Sequence, residues 1–351
     1  MDKVLKSDIE YIAENLQEIF KILQNSTILV TGATGLVGSQ IIKAILYYEI
    51  QNNITIRVIG IARNREKAKK AFGDLLEYKN FEMMYEDIQT LLEIDENIDY
   101  IIHGANTTIS KEYVLKPVET IKTIINGTDN ILRIAKNKRI KKMVYLSSME
   151  IYGKTDNYSE RIKECDLGYI DILNVRSSYS EGKRMAECLC SSYASEYNVP
   201  VVIARLAQVF GADVNIEDNR IFNQLAKSVI NEENFVMHSK GESFGNYCYA
   251  RDAVMAILIL LFRGEIAEAY NVVNEDTSIK IYDMAKMVSE KISDSKMKIE
   301  IDLPKSQMTY GYAPDVTMKL SSEKINKLGW KSEISLENMY RRLIESIKER
   351  L

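Results

Sequence analysis

The chain is expected to fold as an α/β protein on a doubly wound parallel sheet, with a small α+β lobe towards its C-terminal end. Three observations predict this. A short apolar run, Ile28-Leu29-Val30, ends in Thr31-Gly32-Ala33-Thr34-Gly35-Leu36-Val37-Gly38, and a helix-period stretch with Ile41, Ile42, Ile45 and Leu46 follows, so strand, glycine turn and helix come in that order. Short apolar runs and helix-period stretches then alternate as far as Arg205, the pattern of parallel strands joined by crossover helices. The 351 residues, 46% hydrophobic and 27% charged, suit one large or two medium soluble domains.

In chain order, residues 1–25 form an N-terminal helical extension, because Leu5, Ile9, Ile12, Leu16, Phe20 and Leu23 recur at helical spacing. It packs on the outside of the domain, and a dimerisation helix is the sharper alternative. The glycine turn follows. Glycine permits the tight turn and lets a pyrophosphate approach without a Cβ in the way, while the helix N-terminus offers N–H groups to the anion. The turn therefore reads as a dinucleotide site. A second strand, Thr55 to Ala62, runs into Arg63-Asn64-Arg65. No acid stands there to hold ribose hydroxyls, and Arg63 suits a 2′-phosphate, which tilts the cofactor towards NADP. Phe81 to Tyr85 is a strand leading to Asp87-Ile88, and Tyr100 to His103 is a strand leading to Gly104-Ala105-Asn106. A helix, Val118 to Lys136, contains Asn126-Gly127-Thr128. The strand Met143 to Leu146 then delivers Ser147-Ser148-Met149-Glu150-Ile151-Tyr152-Gly153 to the sheet end where ligands bind.

A mixed-charge loop, 154–176, leads to a helix opening Ser178-Tyr179-Ser180-Glu181-Gly182-Lys183 and running to about Tyr197. Val201 to Arg205 is a strand. Residues 206–247 are less regular, with one helix at Ile221 to Ile230. Arg251 to Phe262 is a buried helix, and Ala269 to Val273 an edge strand. Helices near 279–292 and 335–349 and a strand at Lys298 to Ile301 complete the chain. The dinucleotide-binding domain is thus read as 26–205 with 250–274 returning to it, and the substrate lobe as 206–249 and 275–351.

A net charge of −4 gives no polyanion-binding surface, so no nucleic-acid partner is expected. Cys165, Cys188, Cys190 and Cys248 show no metal-ligand spacing with His103 or His238, so no metal is expected. Free thiols imply a reducing compartment, and a polar, acidic N-terminus reads as no signal peptide. The longest apolar run, Ala253 to Phe262, is too short to span a bilayer. A cytoplasmic location without membrane contact is the expectation.

Tyr179 and Lys183 are four apart and share a helix face. A phenol has an ordinary pKa near 10. A nearby ammonium favours its anion, which can take a hydroxyl proton as hydride leaves the carbon. Ser148 can bond the same substrate oxygen, and Asn126 can hold a water behind the lysine.

The pieces Thr31 to Gly38, Asp87-Ile88, His103 to Ala105, Asn126-Gly127-Thr128, Ser147 to Gly153, Tyr179 to Lys183, Arg205 and Leu328-Gly329-Trp330 lie across residues 26–335. Together they resemble the extended short-chain dehydrogenase/reductase superfamily, in its nucleotide-sugar epimerase/dehydratase branch. The resemblance implies a Rossmann sheet, a tightly bound NAD or NADP, a nucleotide-sugar substrate and a homodimer built on helices near 110–136 and 178–197. It implies Ser148, Tyr179 and Lys183 as catalytic, with Asn126 in support and Glu150 as a base in some branches. Gly32, Thr34, Gly35, Leu36, Val37, Gly38, Arg63, Asp87, Ile88 and Ala105 are implied as cofactor contacts together with Tyr179 and Lys183. Asn106, Thr107, Ser148, Met149, Arg205 and Arg220 are implied as substrate contacts. Met149 cannot deliver a proton, which turns the expectation from 4,6-dehydration towards epimerisation or decarboxylation. Gly245 stands where the family often has a diphosphate-binding arginine, leaving Arg220 and Lys319 as the cations for that role. A net NADP-dependent ketosugar reductase and a non-catalytic nucleotide-binding protein are the alternatives.

Overall fold

The computed structural model describes residues 1–90, 94–106, 109–155, 160–303 and 318–351. The first half lays down α1 (Lys3–Asn15), α2 (Gln17–Ile22), β1 (Thr27–Thr31), α3 (Leu36–Asn52), β2 (Arg57–Ile61), α4 (Arg65–Phe72), β3 (Phe81–Met84), β4 (Tyr100–His103), α5 (Ser110–Leu115), α6 (Pro117–Lys138) and β5 (Lys142–Ser148). The second half gives α7 (Ser178–Tyr197), β6 (Val201–Leu206), β7 (Gln208–Phe210), α8 (Ile221–Asn231), β8 (Phe235–Met237), β9 (Phe244–Tyr249), α9 (Ala250–Arg263), β10 (Ala269–Val272), β11 (Asn274–Lys280), α10 (Ile281–Met287), β12 (Ile299–Ile301), α11 (Glu323–Asn326) and α12 (Leu336–Lys348).

Seven strands form one parallel sheet in the order β10-β6-β5-β4-β1-β2-β3. The order reverses at β1/β4, where the crossovers switch faces and a crevice opens at the C-terminal strand ends. Strand side chains alternate between the two faces. Ile28 and Val30 pack with Ile41, Ile45, Ile257 and Leu261 on the face covered by α3 and α9. Leu29, between them, packs with Ile101, Ile131, Leu132 and Ala186 on the face covered by α6 and α7. Both faces are covered, so the strands read as unbroken apolar runs.

The N-terminal extension is two helices. Leu5, Ile9, Ile12, Phe20 and Leu23 are fully buried in the same cluster as α3 and α9. The face that could have met a second chain is therefore used within this one. Asp8 anchors it: its carboxylate accepts from Tyr249 Oη at 2.7 Å and from Arg342 Nη2 at 2.7 Å. The backbone N–H of Lys3 reaches Glu349, and Ser346 Oγ donates to Asp2, so the two chain ends are tied together.

Residues 206–247 hold more regular structure than the sequence suggests. β7 and β9 pair, β11 joins them, and β8 pairs with β12. Three-residue strands such as Gln208–Phe210 are too short to show alternation, and β11, Asn-Glu-Asp-Thr-Ser-Ile-Lys, is polar but for Ile279. A separate core around Phe210, Phe222, Tyr247, Met284 and Tyr340 holds this lobe.

Near the crevice, His103 is 2% exposed. Thr31 Oγ1 accepts from the N–H groups of Gly104 and Ala105, so its own proton goes to His103 Nδ1, 2.7 Å away. That leaves the Nε2–H tautomer donating to Thr128 Oγ1 at 3.2 Å. Burial pulls the imidazole down to about 3, with the Lys183 charge adding to the effect. The folded chain therefore binds fewer protons than the unfolded one between about pH 3 and the ordinary imidazole value. Stability is expected to be flat above pH 6.5 and to fall as pH drops below it, by up to about 4 kcal/mol on reaching pH 3. Urea midpoints measured at several pH values check this, with His103→Gln flattening that limb.

Candidate active site

The glycine turn leaves β1 and enters α3 beneath the crevice. Gly32 has φ +70°, and a Cβ on it would lie 2.9 Å from the backbone of Gly104 and Ala105. A Cβ on Gly38 would strike the carbonyl of Gly32. Gly35 begins α3 with no side-chain cap, so the first-turn N–H groups of Leu36, Val37 and Gly38 have no intrahelical acceptor. Asn106, at the end of β4, has both amide atoms buried without a protein partner. A cradle of bare backbone with orphaned donors and an unpartnered amide beside it fits a dinucleotide.

At the outer rim, Arg63 lies 3.7 Å from Asp87, and Asp87 Oδ1 also accepts the N–H of Gln89. Ile88 is buried against Gly127, and its carbonyl accepts from Asn130 Nδ2 at 2.9 Å.

β5 carries Ser148 to the crevice, where its Oγ accepts the N–H of Glu150 at 3.2 Å. Glu150 is fixed by Arg176 Nη2 at 3.0 Å and by Ser180 Oγ at 3.4 Å. This carboxylate is thus held by a guanidinium, not by backbone N–H groups. Tyr179 and Lys183, 8% and 4% exposed, point from α7 towards the same strand end. Burial raises the Tyr179 phenol to about 12, and Glu150 adds to the rise; hydrogen bonds from Ser148 and Tyr113, and the Arg176 charge, oppose it. Lys183 is pulled down to about 8 by burial, against the pull of Glu187. Its Nζ donates to the Leu146 carbonyl at 2.7 Å and sits 6.0 Å from the Tyr179 ring centre. The help to the phenolate that the sequence assigned to Lys183 comes, without a ligand, from Ser148, Tyr113 and Arg176.

Four expectations change. Asn126 is exposed on α6; the inward face of that helix carries Ile124, Gly127, Thr128 and Ile131, so Asn126 holds nothing behind Lys183. Arg205 is 6% exposed and committed to Glu187, Tyr152 Oη and the Glu164 carbonyl, so it is a buried strut and not a substrate contact. Met149 is buried in an apolar cluster with Ile151, Tyr152, Ile162 and Leu320, so its side chain is used for packing. Arg220 lies at the start of α8 in a bidentate pair with Asp218, so its guanidinium is already engaged, and the Lys319 ammonium sits 5.4 Å from the centre of the Phe244 ring. Thr107 and the stretch 312–317 lie outside the described residues. Arg176 and Tyr113 were not singled out from sequence. The first has a signal, three residues before Tyr179; the second has none.

The family model "NAD dependent epimerase/dehydratase family" matches residues 28–273. UDP-glucuronic acid decarboxylase 6 of Arabidopsis thaliana is 28% identical over 307 residues, covering 84% of this chain and 86% of that protein. Human dTDP-D-glucose 4,6-dehydratase is 25% identical over 336 residues, 92% of this chain and 90% of that one. Among solved structures, UDP-glucuronic acid 4-epimerase from Bacillus cereus, in complex with UDP-glucuronic acid and NAD, aligns with TM-score 0.77 at 22% identity, covering 93% of this chain and all of that one. Epimerase Mth375 from Methanothermobacter thermautotrophicus aligns with TM-score 0.80 at 20% identity, covering 95% of each chain.

Proposed function

The chain belongs to the NAD-dependent epimerase/dehydratase family, and from that premise we propose that it converts a nucleotide-linked sugar through a 4-keto intermediate, with decarboxylation of a nucleoside-diphosphate hexuronic acid as the net reaction. The observation that carries this reading is the meeting of Ser148, Tyr179 and Lys183 at one strand end, with Glu150 held beside them by Arg176. Two points favour decarboxylation over 4,6-dehydration. Met149 offers no proton to a departing hydroxyl, and several of the relatives are UDP-glucuronic acid decarboxylases.

Gly32, Thr34, Gly35, Leu36, Val37, Gly38 and Ala105 would hold the dinucleotide, with Arg63, Asp87 and Ile88 towards its adenosine end. When bound there, NAD supplies a nicotinamide that takes hydride from sugar C4 and later gives it back. Tyr179 takes the C4 hydroxyl proton, and Ser148 orients that oxygen. The resulting ketone lets the C5–carboxylate bond break: carbon dioxide departs, and the bonding electrons pass into the carbonyl as an enolate. Glu150 would pass a solvent proton to C5 in place of the departed carboxylate, and Tyr179 would return its proton to the C4 oxygen. Lys183 would hold the ribose next to the nicotinamide, and Asn106 a polar group of the cofactor or substrate. Arg63 is engaged by Asp87, whose charge would repel a 2′-phosphate, so NAD is favoured over NADP. Residues 206–249 and 275–351 serve as the substrate lobe around the 26–205 domain. The four cysteines are free thiols, which suits the cytoplasm, and no described helix is long and apolar enough to cross a membrane.

Denaturing the purified protein and weighing what it releases is expected to give NAD. Incubation with UDP-glucuronic acid is expected to give a UDP-pentose and carbon dioxide without net NADH. No held cofactor and no turnover across UDP-, CDP-, GDP- and dTDP-sugars would sink the reading, and stoichiometric use of NADPH would replace it with a reductase.

The chain also pairs as a homodimer across α5, α6 and α7. Leu115, Val118, Ile121 and Met185 expose apolar surface there, 66%, 63%, 38% and 54% respectively, on helices that pack side by side. Light scattering is expected to give twice the chain mass, and Val118→Lys to halve it; a wild-type monomer at micromolar concentration excludes the pairing.

A further inference from the structure

Tyr113 lies on α5, which packs on α6 and α7, and is 3% exposed. Its ring stacks on that of Tyr179 with centroids 4.3 Å apart and planes 7° from parallel. The Arg176 guanidinium covers the ring of Tyr113, 4.7 Å from its centre, and also grips Glu150. Ser178, the residue before Tyr179, donates its Oγ to the Tyr113 carbonyl at 3.0 Å, pinning α5 to the start of α7. The two phenol rings thus lie face to face, with the Arg176 guanidinium against the ring of Tyr113.

We propose that Tyr113 is a positioning residue for Tyr179: its ring fixes the plane of the reacting phenol, and its hydroxyl donates to the Tyr179 oxygen as that oxygen loses its proton. Tyr113 is suited to donate because burial holds its own proton far more firmly than in water, with Tyr179 and Glu150 adding to the effect. The groups facing Tyr179 are Ser148, Glu150 and Tyr145 from β5 and the turn after it, Arg176 and Lys183 from α7 and the turn before it, and Tyr113 from α5. Of these, Ser148, Tyr113 and Arg176 favour the ionised phenol, while Glu150 disfavours it.

The inference rests on Tyr179 being the proton acceptor. The protein as purified, labelled with ¹³Cζ-tyrosine, reports ionisation by NMR, with the Tyr179 resonance assigned by its loss in Tyr179→Phe. In Tyr113→Phe, which keeps the ring and removes the hydroxyl, the Tyr179 titration is expected to move up by about one pH unit. Turnover on the sugar that the wild type accepts should fall about tenfold in kcat with KM within twofold. Ser178→Ala, which frees the anchor of α5, should move the same titration in the same direction and stands in if Tyr113→Phe does not fold. An unmoved titration overturns the inference. Full turnover in Tyr179→Phe would instead overturn the enzymatic reading itself, so the two failures are distinguishable.

Discussion

Tyr179→Phe is expected to lower turnover roughly 10³-fold while leaving the fold and the content of released cofactor unchanged. The loss follows from geometry. The phenol is the group that stands between Ser148, Glu150 and the lysine at the end of β5, and phenylalanine keeps its shape and its stacking on Tyr113 but cannot accept a proton. About 10³-fold corresponds to roughly 4 kcal/mol of transition-state free energy, within what a positioned acid–base group supplies. The pH dependence has a definite sign. Without ligands the phenol holds its proton to about 12 because it is buried beside Glu150. Turnover should therefore climb as pH rises towards whatever value the bound cofactor brings the phenol to, and Tyr179→Phe should abolish that limb. Wild-type rates in the variant, measured by formation of the sugar product, would exclude Tyr179 from the chemistry.

Arg205→Leu is expected to destabilise the protein by about 3–5 kcal/mol, read as a lower urea midpoint with unchanged slope. Arg205 and Glu187 are 6% and 8% exposed and are joined by Nη2–Oε2 at 2.7 Å, with Nε adding contacts at 3.1 and 3.2 Å. Ser147 Oγ donates to the same carboxylate, and Tyr152 Oη links the arginine to Asn271 Oδ1 at 2.7 Å. Removing the guanidinium leaves Glu187 charged, buried and unpaired, which costs far more than the pair contributes. Arg205→Leu with Glu187→Leu should consequently recover much of the loss. A double variant weaker than the sum of the singles would contradict this.

The sheet was readable because its strands are buried on both faces and read as apolar runs, and because two of them end in a residue type that fits a crevice: Gly32 just after β1 and Ser148 closing β5. The lobe was less readable. β11 is held by Thr277 and Asn274 through side-chain and backbone bonds, not by an apolar face, so no period marks it. Tyr179 and Lys183 could be found because helical spacing alone puts them together. Asn126 was misplaced by the same geometry, since it lies on the far side of α6 from Gly127 and Thr128. Arg205 resembles a substrate arginine until Glu187, eighteen residues earlier, is seen waiting inside the fold. Arg176 stands close before Tyr179 in sequence, but its contact with Glu150, 26 residues away, and the stacking of Tyr113 on Tyr179 join separate segments and leave no local pattern.

The tie between the two chain ends also bears on synthesis. Helix α1 leaves the ribosome well before α12, which Asp2 and Asp8 grip, with 346 residues separating Lys3 from Glu349. At roughly 5–20 residues per second that is a wait of about 20–70 s. Throughout that interval Ile9, Ile12 and Phe20 lack part of their eventual cover, so the nascent chain offers an oily amphipathic segment to chaperones before the molecule can close on itself.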